Sequence, residues 1–360
     1  MASINKKRTI SFVNAINESL HLEMKRNKNL LCYGLGINDP KKIFGTTKNL
    51  EKKFGSNRVF DIPNSENSIL GIGIGLAMSG YPNVVTHQRL DFFLLAFDQL
   101  INSASKWFYM FGKNSNIPIT IRLVVGRGWG QGPTHSQNLQ SVFSHFPGLK
   151  VVIPTNPFDA KGLLSASIRD PNPVIFIEHR WLHNTIGDVP KENYTVNLGN
   201  AKKISSGKNL TVISMSYMTV EFLKILKFLQ KKISIDFIDL RSIKPLDIKT
   251  IKKSVKKTGK VLVLDTGFKF NSISSEIITQ INENCFNFLK EQPKRITVPN
   301  IPEPASFGLT KYYYPSLKNI IDEVSRMTNI KFNQKELKLF LNTFKSKYHD
   351  VPGDWFKGPF

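Results

Sequence analysis

Cysteine is scarce in this chain of 360 residues, and its two cysteines, Cys32 and Cys285, lie far apart. A disulfide framework and a CxxC metal knuckle are therefore excluded, and a reducing compartment fits. No apolar run reaches the roughly 18 residues that a membrane-spanning helix needs, which excludes an integral membrane protein. The first eight residues also lack the apolar stretch of a secretory signal. Together these absences predict a cytoplasmic protein.

Acidic residues are the second shortage. The chain has 27 Asp and Glu against 50 Lys and Arg, which gives a net charge of +23. Such a charge favours anionic partners and keeps a basic nucleic-acid-binding protein open as an alternative function. The basic residues are scattered, however, and the sequence has no helix-turn-helix, zinc-finger or aromatic-studded basic strand pattern. We therefore expect no nucleic-acid partner.

Most sequence signatures of catalysis are missing too, including the HExxH metalloprotease motif, the Walker loop and the GxSxG serine elbow. The run Gly71-Ile72-Gly73-Ile74-Gly75 invites a dinucleotide-binding interpretation. It lies inside a helical pattern, however, and the next strand ends at Thr86-His87-Gln88-Arg89 without an acid. We therefore reject a nicotinamide site and expect these glycines to let a helix pack closely on a neighbouring element.

The hydrophobic pattern is informative where the motifs are not. Short β-branched runs alternate with longer helical patterns from end to end, which is typical of parallel sheets covered by helices. The first series predicts strands at 30–34, 58–61, 83–86, 118–125, 150–153 and 173–177, with helices near 67–80, 92–110, 136–145 and 157–169. The second series predicts strands at 210–215, 233–238, 260–264 and 295–298, with helices at 219–231, 247–257, 272–289 and 315–327. The fold class is therefore α/β, with two doubly wound domains.

The domain limits follow from a polar stretch after Trp181 that continues to about residue 208 and is interpreted as a linker. We expect one domain over 1–195, a second, smaller one over 196–328, and a C-terminal extension over 329–360. The extension contains one amphipathic helix at 334–346. Its aromatic, Pro- and Gly-rich end is expected to dock on a subunit interface.

Polar residues at the predicted strand ends are the candidate site. Glu66 lies where a strand ends and a helix begins, so it is either a helix-capping acid or a side chain aimed at a ligand crevice. His135 follows a glycine-rich loop after a strand, where it suits proton transfer, although a structural role is equally open. His87, Arg89 and Asp91 cluster at another strand end, and such a mixture suits a small polar anion.

Ordered blocks of this sequence resemble one known family, the beta subunits of the decarboxylating component of 2-oxoacid dehydrogenase complexes, which are transketolase-like thiamine enzymes. The blocks extend from Thr9 to Arg326 and include Ile62-Pro63-Asn64-Ser65-Glu66, Phe97-Asp98-Gln99-Leu100-Ile101-Asn102-Ser103-Ala104, Thr134-His135-Ser136-Gln137, Pro147-Gly148-Leu149-Lys150-Val151-Val152 and Ile238-Asp239-Leu240-Arg241-Ser242-Ile243-Lys244-Pro245. The resemblance implies a transketolase-type pyrimidine-binding domain followed by a transketolase C-terminal-like domain.

The resemblance also implies a cofactor and partners. The cofactor is thiamine diphosphate with Mg²⁺, and an alpha-type subunit holds the magnesium diphosphate in an α2β2 assembly. Consistent with that division, this chain lacks the Gly-Asp-Gly motif with a later Asn that binds the metal. An acyltransferase core of the complex is a further possible partner, and no membrane partner is implied.

Roles for single residues follow from the resemblance alone. Glu66 matches the glutamate that hydrogen-bonds the aminopyrimidine ring and favours its imino tautomer. Phe92 matches the aromatic residue that stacks on this ring, and His135 matches the active-site histidine near the thiazolium. A structural potassium ion is implied at a set of positions with largely oxygen ligands: Ile119, Ser167, Ile168, Asp170 and Asn172.

The sequence departs from the family around the substrate side of the cofactor, at Thr86–Leu90, Leu95 and Gly126–Gly132. The donor and acceptor substrates therefore stay open. The leading hypothesis is a beta-type subunit that takes part in decarboxylation of a 2-oxoacid and transfer of the resulting acyl or aldehyde unit. The alternative with the same fold is a split transketolase or carboligase that acts on a carbohydrate-type substrate.

Overall fold

The computed structural model describes residues 8–353 and 356. The predicted signal-free start and the last residues of the aromatic terminus lie outside the described residues. The chain divides into two compact units. The first comprises the chain up to Val125 together with Val142–Leu198, and the second comprises Gly126–Ser141 together with the chain from Gly199 onward.

Up to Leu198, short strands and helices alternate as the sequence predicts. The strands are β1 (Thr9–Ser11), β2 (Leu31–Gly34), β3 (Val59–Asp61), β4 (Asn83–His87), β5 (Ile119–Val125), β6 (Lys150–Val152), β7 (Val174–His179) and β8 (Ile186–Asp188). The α-helices are α1 (Phe12–Arg26), α2 (Leu50–Phe54), α3 (Glu66–Met78), α4 (Leu90–Phe93), α5 (Ser105–Met110), α6 (Gln140–His145) and α7 (Pro157–Arg169).

The sheet of the first unit is parallel, and six of its strands follow one another in the order β6-β7-β5-β4-β2-β3. Strands β2, β4, β5 and β7 are buried along their whole length, as a sheet covered on both faces requires. Because the strands are parallel, the segments that follow them meet at one edge, where ligands bind in open α/β sheets.

From Gly199 onward the second unit repeats this plan on a smaller scale. Its strands are β9 (Lys202–Ser205), β10 (Leu210–Ser214), β11 (Ile235–Asp239), β12 (Ser242–Lys244), β13 (Val261–Phe268) and β14 (Lys294–Val298). Its helices are α8 (Ser216–Gln230), α9 (Ile248–Thr258), α10 (Ile273–Cys285), α11 (Phe307–Tyr313), α12 (Leu317–Thr328) and α13 (Gln334–Asn342). A five-stranded sheet has the order β14-β13-β10-β11-β9, in which only β9 is antiparallel to its neighbour among the described residues. The α/β prediction is confirmed.

Three predicted elements differ from the structure. The helix expected over 92–110 is broken into α4, a 3₁₀ turn (Leu94–Ala96), a π-helix (Gln99–Ala104) and α5, and a π-helical turn inside a helix is often found at functional sites. The helix expected from residue 136 begins only at Gln140. The polar stretch interpreted as a linker contains two short strands, because β8 pairs with β1 and β9 pairs with β11.

The sequence predicts that the glycines of α3 allow close packing. Of Gly71, Gly73 and Gly75, only Gly73 lies at a position where a Cβ would overlap a neighbouring atom. A Cβ on Gly73 would lie 2.3 Å from the Tyr33 hydroxyl, whereas one on Gly71 would make an ordinary contact and one on Gly75 would meet open space. The Tyr33 hydroxyl donates to Asn83 Oδ1 at 2.9 Å, and Asn83 Nδ2 donates to the Gly73 carbonyl at 2.9 Å. The glycine at 73 therefore lets α3 lie directly on β2 and β4.

Across residues 8–353, no helix combines the length and the apolar character that crossing a bilayer requires.

Candidate functional site

Glu66 is the first residue of α3, and it reaches the carboxyl edge of the first unit's sheet through a short loop after β3. Its side chain is half-buried. Asp61 fixes the start of that loop, because its carboxylate accepts the N–H groups of Gly36 at 3.0 Å and Ile62 at 3.0 Å. The preceding Ser65 makes no side-chain cap for α3. Both interpretations of Glu66, as a first-turn acid favourable to the helix dipole and as a ligand group, fit this position.

Phe92 belongs to α4, which follows β4 at the same edge of the sheet. It is 42% exposed, although Leu90 and Phe93 beside it are fully buried. A large aromatic ring left accessible between buried neighbours can stack on a planar ligand. The strand β2 separates β4 from β3, so Phe92 and Glu66 follow strands on either side of it. They are the two residues that the family resemblance implies for contact with the pyrimidine half of a thiamine cofactor.

His135 lies in the second unit, on the loop over Gly126–Ser141. It precedes α6 by five residues, so the histidine is in the loop and not at the helix start that the sequence predicts. The side chain is half-buried, and its Nδ1 lies 3.0 Å from the Thr134 hydroxyl. Gln140 ties down the end of this loop, because its Nε2 donates to Asp265 Oδ1 and Thr266 Oγ1, both at 2.9 Å.

The beginning of this loop is held by residues that sequence reasoning missed. The Gly128 N–H donates to Glu303 Oε1 and to the Tyr314 hydroxyl, each at 3.0 Å. The Arg127 guanidinium lies over the Tyr314 ring, 3.6 Å from its centroid. Burial raises the pKa of Glu303 to about 7, against the hydrogen bonds from Tyr314 and Gly128 and the charge of Arg127, which lower it. Nothing in the sequence around Pro302-Glu303-Pro304 signals this role.

Beside this loop is a cavity of about 340 Å³, lined by aromatic rings. Its walls include Trp129 from the loop, Phe307 from α11 and Tyr348 from the C-terminal extension. The extension therefore docks, in its described part, on the second unit of its own chain.

The three residues at the end of β4 that the sequence predicts to suit an anion, His87, Arg89 and Asp91, are buried. His87 has its pKa lowered to about 4 by burial, so it is neutral at pH 7. Arg89 is 5% exposed, and the structure adds Arg180, which follows β7 and which sequence reasoning missed. The guanidinium carbons of Arg89 and Arg180 lie 5.9 and 4.6 Å from the centroid of one ring, Phe44. Burial and the neighbouring Arg89 lower the pKa of Arg180 to about 10.

The residues of the predicted potassium site lie at the end of α7 and the start of β5. Asp170 forms an ion pair with Lys150 and also accepts the Asn172 N–H at 3.0 Å. The Ser167 hydroxyl donates to the Leu163 carbonyl at 2.7 Å. The buried Asn172 Oδ1 finds no hydrogen-bond partner among the described residues. Over residues 8–353 as a whole, no group of three or more His, Cys, Asp and Glu side chains could hold a metal ion.

Comparison with known proteins identifies the family. Residues 8–184 match the family described as transketolase, pyrimidine binding domain, and residues 199–320 match transketolase, C-terminal domain. The beta subunit of the pyruvate dehydrogenase E1 component of Rhizobium meliloti (strain 1021) is 34% identical over 318 residues, which cover 88% of this chain and 69% of that protein. The chain belongs to the E1 beta family of transketolase-like, thiamine-dependent enzymes.

Other relatives within this E1 beta family differ in their named reactions. The beta subunit of acetoin:2,6-dichlorophenolindophenol oxidoreductase of Cupriavidus necator is 36% identical over 87% of this chain and 96% of its own length. The 2-oxoisovalerate dehydrogenase subunit beta of Bacillus subtilis (strain 168) is 36% identical over 84% and 94%. A solved split-gene transketolase, described as an inactive beta4 tetramer, has the same fold, with a TM-score of 0.71 and 17% identity over 90% of this chain and 99% of that one. The family favours the enzyme hypothesis over a nucleic-acid-binding protein.

Proposed function

We propose that this E1 beta chain binds the aminopyrimidine half of thiamine diphosphate and takes part in decarboxylation of a 2-oxoacid, with transfer of the acyl or aldehyde unit. The observation that carries the proposal is the pairing of a half-buried acid, Glu66, with an accessible aromatic ring, Phe92, at one edge of one sheet. Both belong to segments that match the family.

The cofactor supplies the carbanion chemistry when bound, and this chain supplies binding and proton handling. Glu66 shares a proton with the pyrimidine ring, and Phe92 offers its face for stacking. His135 moves a proton at the substrate, a role for which an imidazole in an accessible loop is suited. The anchored loop over Gly126–Ser141 keeps His135 in a defined position.

The partner that we propose is an alpha-type subunit which holds the diphosphate and Mg²⁺, in an α2β2 assembly. Support comes from the names of the relatives, which are subunits, and from large apolar side chains that the first unit exposes. They lie on α3, on the 3₁₀ turn that packs on it, and at the end of α5: Ile72, Met78, Leu95, Tyr109, Met110 and Phe111. Exposed apolar side chains at this density are typical of a protein interface.

A potassium ion at Ile119, Ser167, Ile168, Asp170 and Asn172 is a second proposal, supported by the buried Asn172 Oδ1. We also propose a cytoplasmic location, to which the free and buried Cys32 and Cys285 are suited. The division into 1–195, 196–328 and 329–360 stays a prediction.

The test is co-expression with a chain that carries the Gly-Asp-Gly motif and the later Asn. The purified complex should reduce ferricyanide with one or more 2-oxoacids only when thiamine diphosphate is present. Release of carbon dioxide with acylation of a lipoyl domain assigns a dehydrogenase and an acyltransferase partner. A complex that binds no thiamine diphosphate would overturn the proposal.

The two arginines on Phe44 favour a second candidate function. Arg89 and Arg180 together attract an anionic group, which suits a split transketolase or carboligase with a phosphorylated or carbohydrate-acid substrate. Formation of a ketol without carbon dioxide release would assign this function in the same assay.

A further inference from the structure

The C-terminal extension lies beyond the family domains, because the matched C-terminal domain ends at residue 320. Its helix α13 is fixed on the second unit by aromatic contacts. The Phe340 ring stacks on Phe228 at a centroid distance of 4.3 Å, and Phe332 lies 5.1 Å from the same ring. Leu337 of the same helix is buried. A segment anchored in this way can hold the residues that follow it in a defined place.

The residues after α13 fold back onto the loop that leads to His135. Asp350, which is 2% exposed, accepts the Trp129 N–H on its Oδ2 at 3.1 Å. The Trp129 ring contacts two rings of the extension, Tyr348 at 6.0 Å and Phe356 at 5.6 Å between centroids. The extension thus contacts both the backbone and the side chain of one loop residue.

The loop is built to receive this contact. Gly128 has a positive φ of 66°, and a Cβ there would lie 2.0 Å from the Asp350 carbonyl oxygen. Trp129 itself has a φ of 58°, in the left-handed region. This conformation costs a non-glycine residue free energy, so it persists only where surrounding contacts hold it. The hydrogen bond from Trp129 to Asp350 and the two ring contacts are the surroundings that do so.

Further contacts fix Asp350 and its neighbour from the other side. The Thr310 hydroxyl of α11 lies 2.8 Å from His349 Nε2 and donates to Asp350 Oδ2 at 3.4 Å. The Phe307 ring lies 4.0 Å from the His349 ring. Asp350 is therefore held between α11 and the loop, and its position is determined from both directions.

We propose that Asp350 is a positioning residue for the reaction, which locks the loop of Trp129 and thereby sets the orientation of His135. The catalytic half of this inference rests on the proposed function of His135. The hydrogen bond between Trp129 and Asp350, called the lock below, does not depend on that function. Residues 128–135 form one short loop with turns closed at Gln131 and His135 by the carbonyls of Gly128 and Gly132, so a change at Trp129 is transmitted to His135.

The lock is tested first without any activity, by hydrogen exchange of the full-length chain measured by mass spectrometry. Asp350→Ala should raise exchange at the amide of Trp129 by about tenfold or more, because the acceptor of that N–H is gone. Asp350→Asn keeps an acceptor oxygen of the same size and should exchange like the unmodified chain. Lys345→Ala, at an exposed position before this contact, is the matched control.

The catalytic half is tested on the complex with the alpha-type chain. Asp350→Ala should lower kcat by about tenfold at an unchanged KM, and Asp350→Asn should restore it. Equal exchange in all variants would overturn the lock. Faster exchange with an unchanged kcat would overturn the positioning role alone, and failure of the proposed function would appear separately, as a complex without thiamine-dependent turnover.

Discussion

At the scale of single residues, Phe92 is an exposed aromatic side chain that we propose stacks on the cofactor. Replacing it with alanine removes the stacking face, so Phe92→Ala should raise the apparent Kd for thiamine diphosphate about tenfold, or about 1.4 kcal/mol. The measurement is a fluorescence titration of the complex with the alpha-type chain. Phe286→Ala, at a side chain that is 71% exposed in the second unit, is the control and should change the Kd less than twofold. An equal effect of both substitutions would contradict the stacking role.

Glu303 gives the second prediction at this scale. Its pKa is 4.5 in the unfolded chain and about 7 in the folded one, so the folded state retains a proton that the unfolded state has lost between these values. Glu303 should therefore lower the free energy of unfolding by about 3 kcal/mol as the pH rises from about 4.5 to 7, and it should contribute no further change above pH 7. His87, whose pKa burial lowers to about 4, contributes with the opposite sign in this window. The Glu303 contribution is therefore the difference between the unmodified chain and Glu303→Gln.

The Glu303 prediction is checked by urea unfolding of the chain at a series of pH values. Glu303→Gln should remove this contribution, so that its stability relative to the unmodified chain rises between pH 4.5 and 7, whereas Glu283→Gln, at an exposed position, should leave the profile as it was. A profile that Glu303→Gln does not alter would show that the buried carboxyl titrates at its ordinary pKa.

At the scale of elements, helix α3 offers a matched pair of glycines with opposite expected outcomes. Gly75→Ala should raise the free energy of unfolding by about 0.5–1 kcal/mol, because alanine favours a helix and nothing lies near its Cβ. Gly73→Ala should lower it by about 1–3 kcal/mol, because its Cβ would overlap the buried Tyr33 hydroxyl. Chemical denaturation of each variant decides this. Two substitutions of the same sign would contradict the close packing of α3 on β2 and β4.

At the end of α7 we predict a potassium site. Substituting KCl for choline chloride at equal ionic strength should raise the Tm of the chain by a few degrees, because an ion that binds only the folded state stabilises it. Asn172→Ala should abolish this gain, and Asn114→Ala, at an exposed position, should retain it. A Tm that does not respond to potassium would refute the site.

At the scale of the whole molecule, the sequence predicts the architecture well because periodicity is a local signal. The alternation of buried strands and helices indicates both parallel sheets, and the turn after β3 indicates the position of Glu66. The break in the helix over 92–110 could not be predicted, because this stretch contains no proline or glycine that would mark it.

Contacts between distant residues could not be predicted from the sequence. The lock joins Trp129 to Asp350, which are 221 residues apart, and Arg180 reaches Phe44 from a different strand end. Neither pair has a spacing or composition that marks it. The residues that a short motif identifies, such as Glu66 and His135, are accessible to sequence reasoning, whereas the residues that hold them in place become visible only in the fold.

The proposed function depends most on Glu66. Its most direct test is the turnover of the complex with the alpha-type chain after Glu66→Gln. This substitution keeps the size of the side chain and removes its ability to exchange a proton with the pyrimidine. We predict a fall in kcat of at least about 100-fold, with thiamine diphosphate still bound, while Glu192→Gln, at an exposed position in the same unit, retains full activity. A kcat for Glu66→Gln within twofold of the unmodified complex would contradict the account.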